Sequence, residues 1–245
     1  VIATAKHFPG HGDTDIDSHN DLPVINFDMA RLNEIELVPF RSAIEQGVKS
    51  IMIAHLSFPE LEKDKRIPAS LSAKIVNDLL IVQMNFNGLI VTDALNMSGV
   101  TKNFSTEDIA IRCVEAGIDL ILMPEDEARA IDAIEKEVIA GKITEERIDI
   151  SCRKILENKI QLNLFENKFV DENLVTENIN TSEEKALAQQ IADESVTLVK
   201  DDFVLNKYKS VSVLTINTTK ESKSSEYFNE QFKNTFAGIF ENINF

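Results

Sequence analysis

The sequence predicts an α/β fold built on a parallel sheet, and three observations lead there. From residue 1 to about 165, short β-rich runs alternate with longer stretches of helical periodicity, the signature of successive βα units. The β-rich runs are continuously apolar, which suits strands covered on both faces. The helical stretches open on serine or threonine and close on glycine, as Ser105 with Gly117 and Thr144 after Gly141 illustrate.

Four runs qualify as strands: Val1 to Ala5, Ser50 to Ala54, Leu89 to Thr92 and Asp119 to Met123. Between the first two, Asp28 to Gln46 is helical in character, and Pro39 predicts a kink or two short helices. Ile75, Leu79, Val82 and Phe86 share a helical face after Ser72, a suitable N-cap. Ser105 and Asp108 resemble a capping box for a helix through Ile109 and Cys113 that stops at Gly117. Ile131, Ile134 and Val138 form the next face, closed by Gly141, and Thr144 starts a helix to about Leu162.

Periodicity is lost between Glu166 and Thr181, where acids and asparagines crowd together, so 166–181 reads as a linker after a first domain of residues 1–165. Beyond it, Ser182 to Ser195 reads as a helix and Ser210 to Ile216 as a strand, as if 182–245 began a second α/β domain.

With 245 residues and 43% apolar content the chain can bury a sizeable core. Its 25 basic and 41 acidic residues give a net charge of −16, which argues against nucleic acid or an anionic membrane as partner. No apolar stretch approaches the ~18 residues of a membrane span. The chain opens inside an apparent strand with no Met, which predicts that it belongs to a longer protein and leaves compartment and oligomeric state open. Cys113 and Cys152 both fall on apolar helix faces, where a buried free thiol is commoner than a ligand or bridge.

Three of the four histidines crowd one polar segment, Lys6-His7-Phe8-Pro9-Gly10-His11-Gly12-Asp13-Thr14-Asp15-Ile16-Asp17-Ser18-His19. In a parallel α/β fold the loops after strand C-termini converge at one end, so polar residues there mark a site. This segment follows the first strand, His55 the second, and Asp93 the third. A carboxylate fixed at a strand end serves as nucleophile or base; it also serves as a helix N-cap or ion-pair partner. Asp17 and His19 pair a carboxylate with an imidazole whose ordinary pKa of ~6.5 suits proton transfer at neutral pH. His7, His11, Asp13 and His19 offer metal-ligating groups, but at no standard ligand spacing.

The run Lys6 to Thr14 with Asp17-Ser18-His19 and Leu22-Pro23 resembles the signature loop of family 3 glycoside hydrolases of the β-N-acetylglucosaminidase type. Pro39-Phe40, Pro68 to Ser72, Gly88 to Met97, Ala116 to Asp119 and Arg147 to Phe165 agree in order. The resemblance implies a (β/α)8 TIM barrel, with the four strands as its fifth to eighth. It implies that Asp93 is the nucleophile of a retaining hydrolase, that Asp17 and His19 are its acid/base dyad, that Lys6 and His7 hold sugar hydroxyls, and that His55 lines the pocket. It also implies a terminal β-linked N-acetylglucosaminide, on peptidoglycan fragments or chitooligosaccharides, as substrate, with no cofactor and no metal.

A β-N-acetylglucosaminide phosphorylase, a β-glucosidase of the same family, a non-catalytic sugar-binding protein and a metal-dependent hydrolase stand as rivals. The family's earlier strands, which bring a sugar-binding Asp and Arg, are not in this chain, so residues 1–245 alone are expected to fold poorly, associate or turn over very slowly. The beginning of a second domain points to an exported rather than a cytoplasmic enzyme. Asn85 and Asn163 depart from the family pattern, which has glycines at those turns.

Overall fold

The computed structural model describes residues 1–12, 14, 22–175, 179–196, 210–212, 223–236 and 242–244, and the chain divides into two units, Val1–Val170 and Asp171–Phe245. The first is an α/β unit around a three-stranded parallel sheet in the order β1 (Thr4–Phe8), β2 (Ser50–Ile53), β3 (Leu89–Thr92). Thr4 pairs with Ser50, and Ser50 to Ile53 pair residue for residue with Leu89 to Thr92. Every residue of β3 is buried, as its unbroken apolar run requires.

β1 lies farther along the chain than Val1 to Ala5, because pairing with β2 starts only at Thr4. Lys6 and His7 therefore belong to a strand and not to a loop. Ala5 pairs with Ile51 and Phe8 with Ile53, so β1 spends one extra residue here, a bulge that re-aims the side chains at the strand end. The fourth run, Asp119 to Met123, makes a single parallel bridge, Leu120 to Val91. Its ladder stops because the Leu122 N–H goes to the Thr92 side chain at 3.0 Å, and Met123 turns to a left-handed φ of 47°.

Between β1 and β2, helical residues run without interruption through α1 (Met29–Arg31), a π turn (Leu32–Glu36) and α2 (Leu37–Glu45). The disruption falls before Pro39, not at it. The Leu37 N–H reaches back five residues to Leu32 O, and this wider turn accommodates a proline that has no N–H and crowds the carbonyl four residues earlier. Helix Lys74–Gln83 is also π-wound, with Met84 N bonded to Leu79 O at 3.0 Å. That winding moves its buried face to Ile75, Val76, Leu79 and Leu80 and leaves Val82 66% exposed. Ser72 does not cap it by its side chain; the hydroxyl donates to Glu62 instead, at 3.0 Å.

After β3 come α3 (Ser98–Thr101), α4 (Thr106–Ala116), α5 (Glu127–Ile139) and α6 (Glu145–Gln161). Ser105 accepts the Asp108 N–H and donates its hydroxyl to the Asp108 carboxylate, while Gly117 closes α4 in the left-handed region at φ 107°. Thr144 caps α6 as expected. Asn85 and Asn163 hold φ of 54° and 55°, which asparagine tolerates better than other residues with a Cβ. Cys113 is buried, but Cys152 is exposed because α6 buries none of its residues.

α6 is fastened by polar groups. Asp119, its side chain 1% exposed, accepts from Lys154 Nζ at 3.0 Å, Ser151 Oγ at 2.6 Å and the Ile90 N–H at 3.0 Å. Arg147 donates to Val114 O, Ile118 O and Ser151 Oγ. In the second unit, α7 (Ser182–Ser195) opens with a full capping box of Thr181 and Glu184. Strand β4 (Ser210–Ser212) pairs in parallel with β5 (Asn242–Asn244), and α8 (Lys223–Phe236) lies between them in sequence. Residues 213–216 of the expected strand lie outside the described residues.

Removing one member of a buried charged cluster strands the others. Asp119→Ala is therefore expected to destabilise the first unit by about 3 kcal/mol, read as a lower urea midpoint with an unchanged m-value.

Candidate active site

The sheet places its chemistry at the C-terminal ends of its strands. Asp93 leaves the end of β3, its N–H donating to Ile53 O at 3.1 Å, and its Oδ1 accepts the Ala94 N–H at 2.8 Å. Its Oδ2 lies 3.5 Å from His7 Nε2, carried by the bulged end of β1, and the two side chains are 27% and 26% exposed. One carboxylate oxygen is thus held by backbone, and the other lies toward the His7 ring. His11 stands edge-on to His7 with ring centroids 6.1 Å apart, and Lys6 is exposed on the same strand.

Burial holds the His7 imidazole below its ordinary pKa, and the Asp93 carboxylate works against that shift. A ring that is neutral near pH 7 presents both a donor and an acceptor, which suits the binding of hydroxyl groups.

His55, expected to line a pocket, is buried among its neighbours. It is 2% exposed, with Nδ1 2.8 Å from Ser70 Oγ and Nε2 3.1 Å from Ala94 O. Burial also lowers its pKa, against the pull of Asp93. Asp17 and His19 lie outside the described residues, as does Asp13. Among the described residues no three His, Cys, Asp or Glu side chains come together as a metal-binding group.

The segment that begins the polar loop rests on a pair that sequence reasoning missed. Glu36 is 8% exposed and receives Arg31 Nε and Nη2 on its Oε1, at 3.1 and 3.0 Å; among the described residues its Oε2 has no hydrogen-bond partner. Arg31 in turn lies 4.5 Å over the Phe27 ring. Gly10, at φ 128°, packs so tightly on Glu36 that a Cβ would come within 2.5 Å of the Glu36 Cβ. A signal existed: Leu32, Glu36 and Phe40 repeat every four residues, and an acid in an otherwise apolar stripe calls for a partner.

Two outcomes follow. Gly10→Ala meets both a strained φ and a clash with buried Glu36, so it is expected to lower the melting temperature of the first unit, read by calorimetry. For His55, the unfolded ring binds a proton more readily than the buried one. Stability is therefore unaffected above pH ~6.5 and falls as pH drops below it, by at most about 1.4 kcal/mol per pH unit for this one group. Melts at pH 7.5 and 5.5 are expected to differ less in His55→Gln than in the wild type.

Residues 1–158 match the model of the glycosyl hydrolase family 3 N-terminal domain. The chain is 31% identical over 228 residues to β-hexosaminidase A of Pseudoalteromonas piscicida, covering 84% of this chain and 37% of that protein. It is 28% identical over 210 residues to a β-N-acetylglucosaminidase/β-glucosidase of Cellulomonas fimi, 82% of this chain and 37% of that one. Among solved structures, a family 3 β-N-acetylglucosaminidase from Paenibacillus sp. str. FPU-7 superposes with a TM-score of 0.76 at 31% identity, over 99% of this chain and 53% of that chain. A β-glucoside phosphorylase bound to 2FGlc superposes with a TM-score of 0.89 at 28% identity, over 100% of this chain and 46% of the other. The chain thus spans between a third and just over half of these relatives' lengths. With its parallel α/β architecture and carboxylate at a strand end, the chain belongs to glycosyl hydrolase family 3.

Proposed function

We propose that the protein is a retaining β-N-acetylhexosaminidase that releases terminal β-linked N-acetylglucosamine through a covalent glycosyl-enzyme. The observation that carries this reading is the placement of Asp93, partly exposed at the strand end with one carboxylate oxygen held by the Ala94 N–H and the other 3.5 Å from His7 Nε2. In this reading the strands of residues 1–165 are the fifth to eighth of a TIM barrel, whose catalytic groups sit at strand C-termini. Residues 166–181 link them to 182–245, the start of an α/β sandwich domain.

The chemistry takes two displacements. Asp93 Oδ2 attacks the anomeric carbon as the bond to the leaving oxygen breaks, and His19 gives that oxygen its proton. Neutral His19 then takes a proton from water, whose oxygen attacks the same carbon, and the bond to Asp93 breaks. Configuration is retained because inversion happens twice. Asp17 orients the His19 ring, and an imidazole needs no large pKa shift to act as acid and then base. Lys6 and His7 hold sugar hydroxyls beside the nucleophile.

Relatives named β-hexosaminidase and β-N-acetylglucosaminidase are consistent with the acetylated sugar, and the Cellulomonas fimi relative is named for both activities. The similarity to a β-glucoside phosphorylase favours one second reading, in which phosphate and not water releases the sugar from the same carboxylate.

Both are tested with chromogenic N-acetyl-β-glucosaminide and β-glucoside, with and without phosphate, on the full-length protein. Selective turnover of the acetylated sugar without phosphate is expected, with Asp93→Ala losing at least 1,000-fold and His19→Ala at least 100-fold, on the scale of a lost nucleophile or general acid. A rate that rises in proportion to phosphate, with a sugar phosphate as product, establishes the phosphorylase. No turnover of either sugar by the folded protein overturns both.

A further inference from the structure

Beneath the proposed nucleophile lies a buried polar relay that neither displacement uses. Ser70, 0% exposed, sits in the tight turn Ala69–Leu71, and His55, 2% exposed, follows β2. The Ala94 carbonyl can only accept, so His55 Nε2 carries a hydrogen and donates to it at 3.1 Å. In a dry site the ring is neutral, and Nδ1 accepts from the Ser70 hydroxyl at 2.8 Å. Asp93 and His7 are the charged or titratable side chains whose fields reach this ring.

Both ends of the relay are anchored. Ser70 donates its N–H to Ala54 O at 3.2 Å, and its carbonyl accepts from the buried Cys113 thiol at 3.9 Å. At the other end, the Ala94 N–H holds Asp93 Oδ1 at 2.8 Å. The next peptide unit is gripped from several sides: its carbonyl receives His55 and the Met97 N–H, and its Leu95 N–H donates to Leu122 O at 2.9 Å. The residue that orients the carboxylate is thus itself oriented by His55.

We propose that His55 is a positioning residue for the attack of Asp93 on the anomeric carbon: the Ser70–His55–Ala94 chain fixes the turn that aims the carboxylate, and His55 does not touch the sugar. This rests on Asp93 being the nucleophile. A neutral side chain with a donor at one end and an acceptor at the other joins a donating hydroxyl to a carbonyl in this way, as His, Gln and Asn can. Gln places its amide nitrogen near the position of Nε2, whereas Asn reaches only that of Nδ1. A catalytic carboxylate misplaced by a fraction of an ångström loses rate without losing substrate affinity.

The test compares wild type, His55→Gln, His55→Asn and Ser70→Ala of the full-length protein, with Asp93→Ala as control. The readouts are kcat and KM on the chromogenic N-acetylglucosaminide and, by intact mass, the rate at which an activated fluoro-glycoside labels the protein. His55→Asn is expected to lower kcat and labelling together by ten- to a hundredfold with KM within twofold, and His55→Gln to stay within about threefold of wild type. Ser70→Ala, which removes one hydroxyl and leaves the His55 ring in place, is expected to lower both rates three- to tenfold.

Equal losses in the Gln and Asn variants, a loss confined to KM, or an unchanged Ser70→Ala would overturn the positioning role. Should Asp93→Ala retain wild-type turnover or labelling, the assignment of the nucleophile fails first, and that result is read independently of the His55 variants.

Discussion

The site depends on one constraint, the immobility of the turn from Asp93 to Leu95. A strand end is normally free on its far side, yet here hydrogen bonds arrive from three neighbours. Ile53 O takes the Asp93 N–H, Leu122 O takes the Leu95 N–H, and His55 donates to Ala94 O. The fourth apolar run contributes to this turn rather than to a long ladder, and that explains its short pairing. Its Leu122 uses its N–H on Thr92 Oγ1 and its carbonyl on Leu95 N. Sheet regularity gives way to a rigid support for one carboxylate.

The opposite wall is set by packing. The Phe8 ring meets Phe40 edge to face at 5.2 Å and is fully buried, which fixes the end of β1 against α2. The bulge just before Phe8 then sends His7 toward Asp93. Immediately after it, Gly10 rests on Glu36 and Gly12 approaches Phe27, both parts of the Arg31-centred cluster. The polar segment is thus tied to the helix preceding α2 at its start, and this tie spends a buried charge pair where an apolar contact would be cheaper. The cost is understandable if the backbone must approach closely, since only glycines leave room for it.

The sequence and the structure agree wherever a local rule operates without competition. Ser105, Gly117 and Thr144 all sit where capping chemistry puts them, and the apolar runs of β2 and β3 pair in register. Disagreement appears where a second requirement enters. The strand after Val1 is shifted because its partner, not its own composition, decides where pairing begins. Val82 leaves the apolar face because π winding, which 3.6-residue periodicity cannot reveal, changes which positions align. Cys152 looked like Cys113 by pattern, but α6 is held by polar groups and not by a buried apolar stripe. At the site, spacing and resemblance drew attention to Asp93, His7 and His55 alike, but only side-chain geometry separates the partly exposed Asp93 and His7 from the buried His55.

Asp93 and Asp119 show what that separation rests on. Both are aspartates at the edge of an apolar run, and composition gives no reason to treat them differently. Asp119 begins its run, at the N-terminal end of the sheet, and three donors from Ser151, Lys154 and Ile90 engage both of its carboxylate oxygens in a site 1% exposed. Both oxygens are committed, so it serves as a fastener for α6. Asp93 follows its run, at the C-terminal end, where one backbone N–H fixes one oxygen, the other lies 3.5 Å from a half-buried imidazole, and the side chain as a whole is 27% exposed. A carboxylate with a free, accessible lone pair and a fixed direction is what a displacement at carbon requires. In a parallel sheet the two ends are chemically distinct, and the same residue type becomes a strut at one end and a candidate nucleophile at the other.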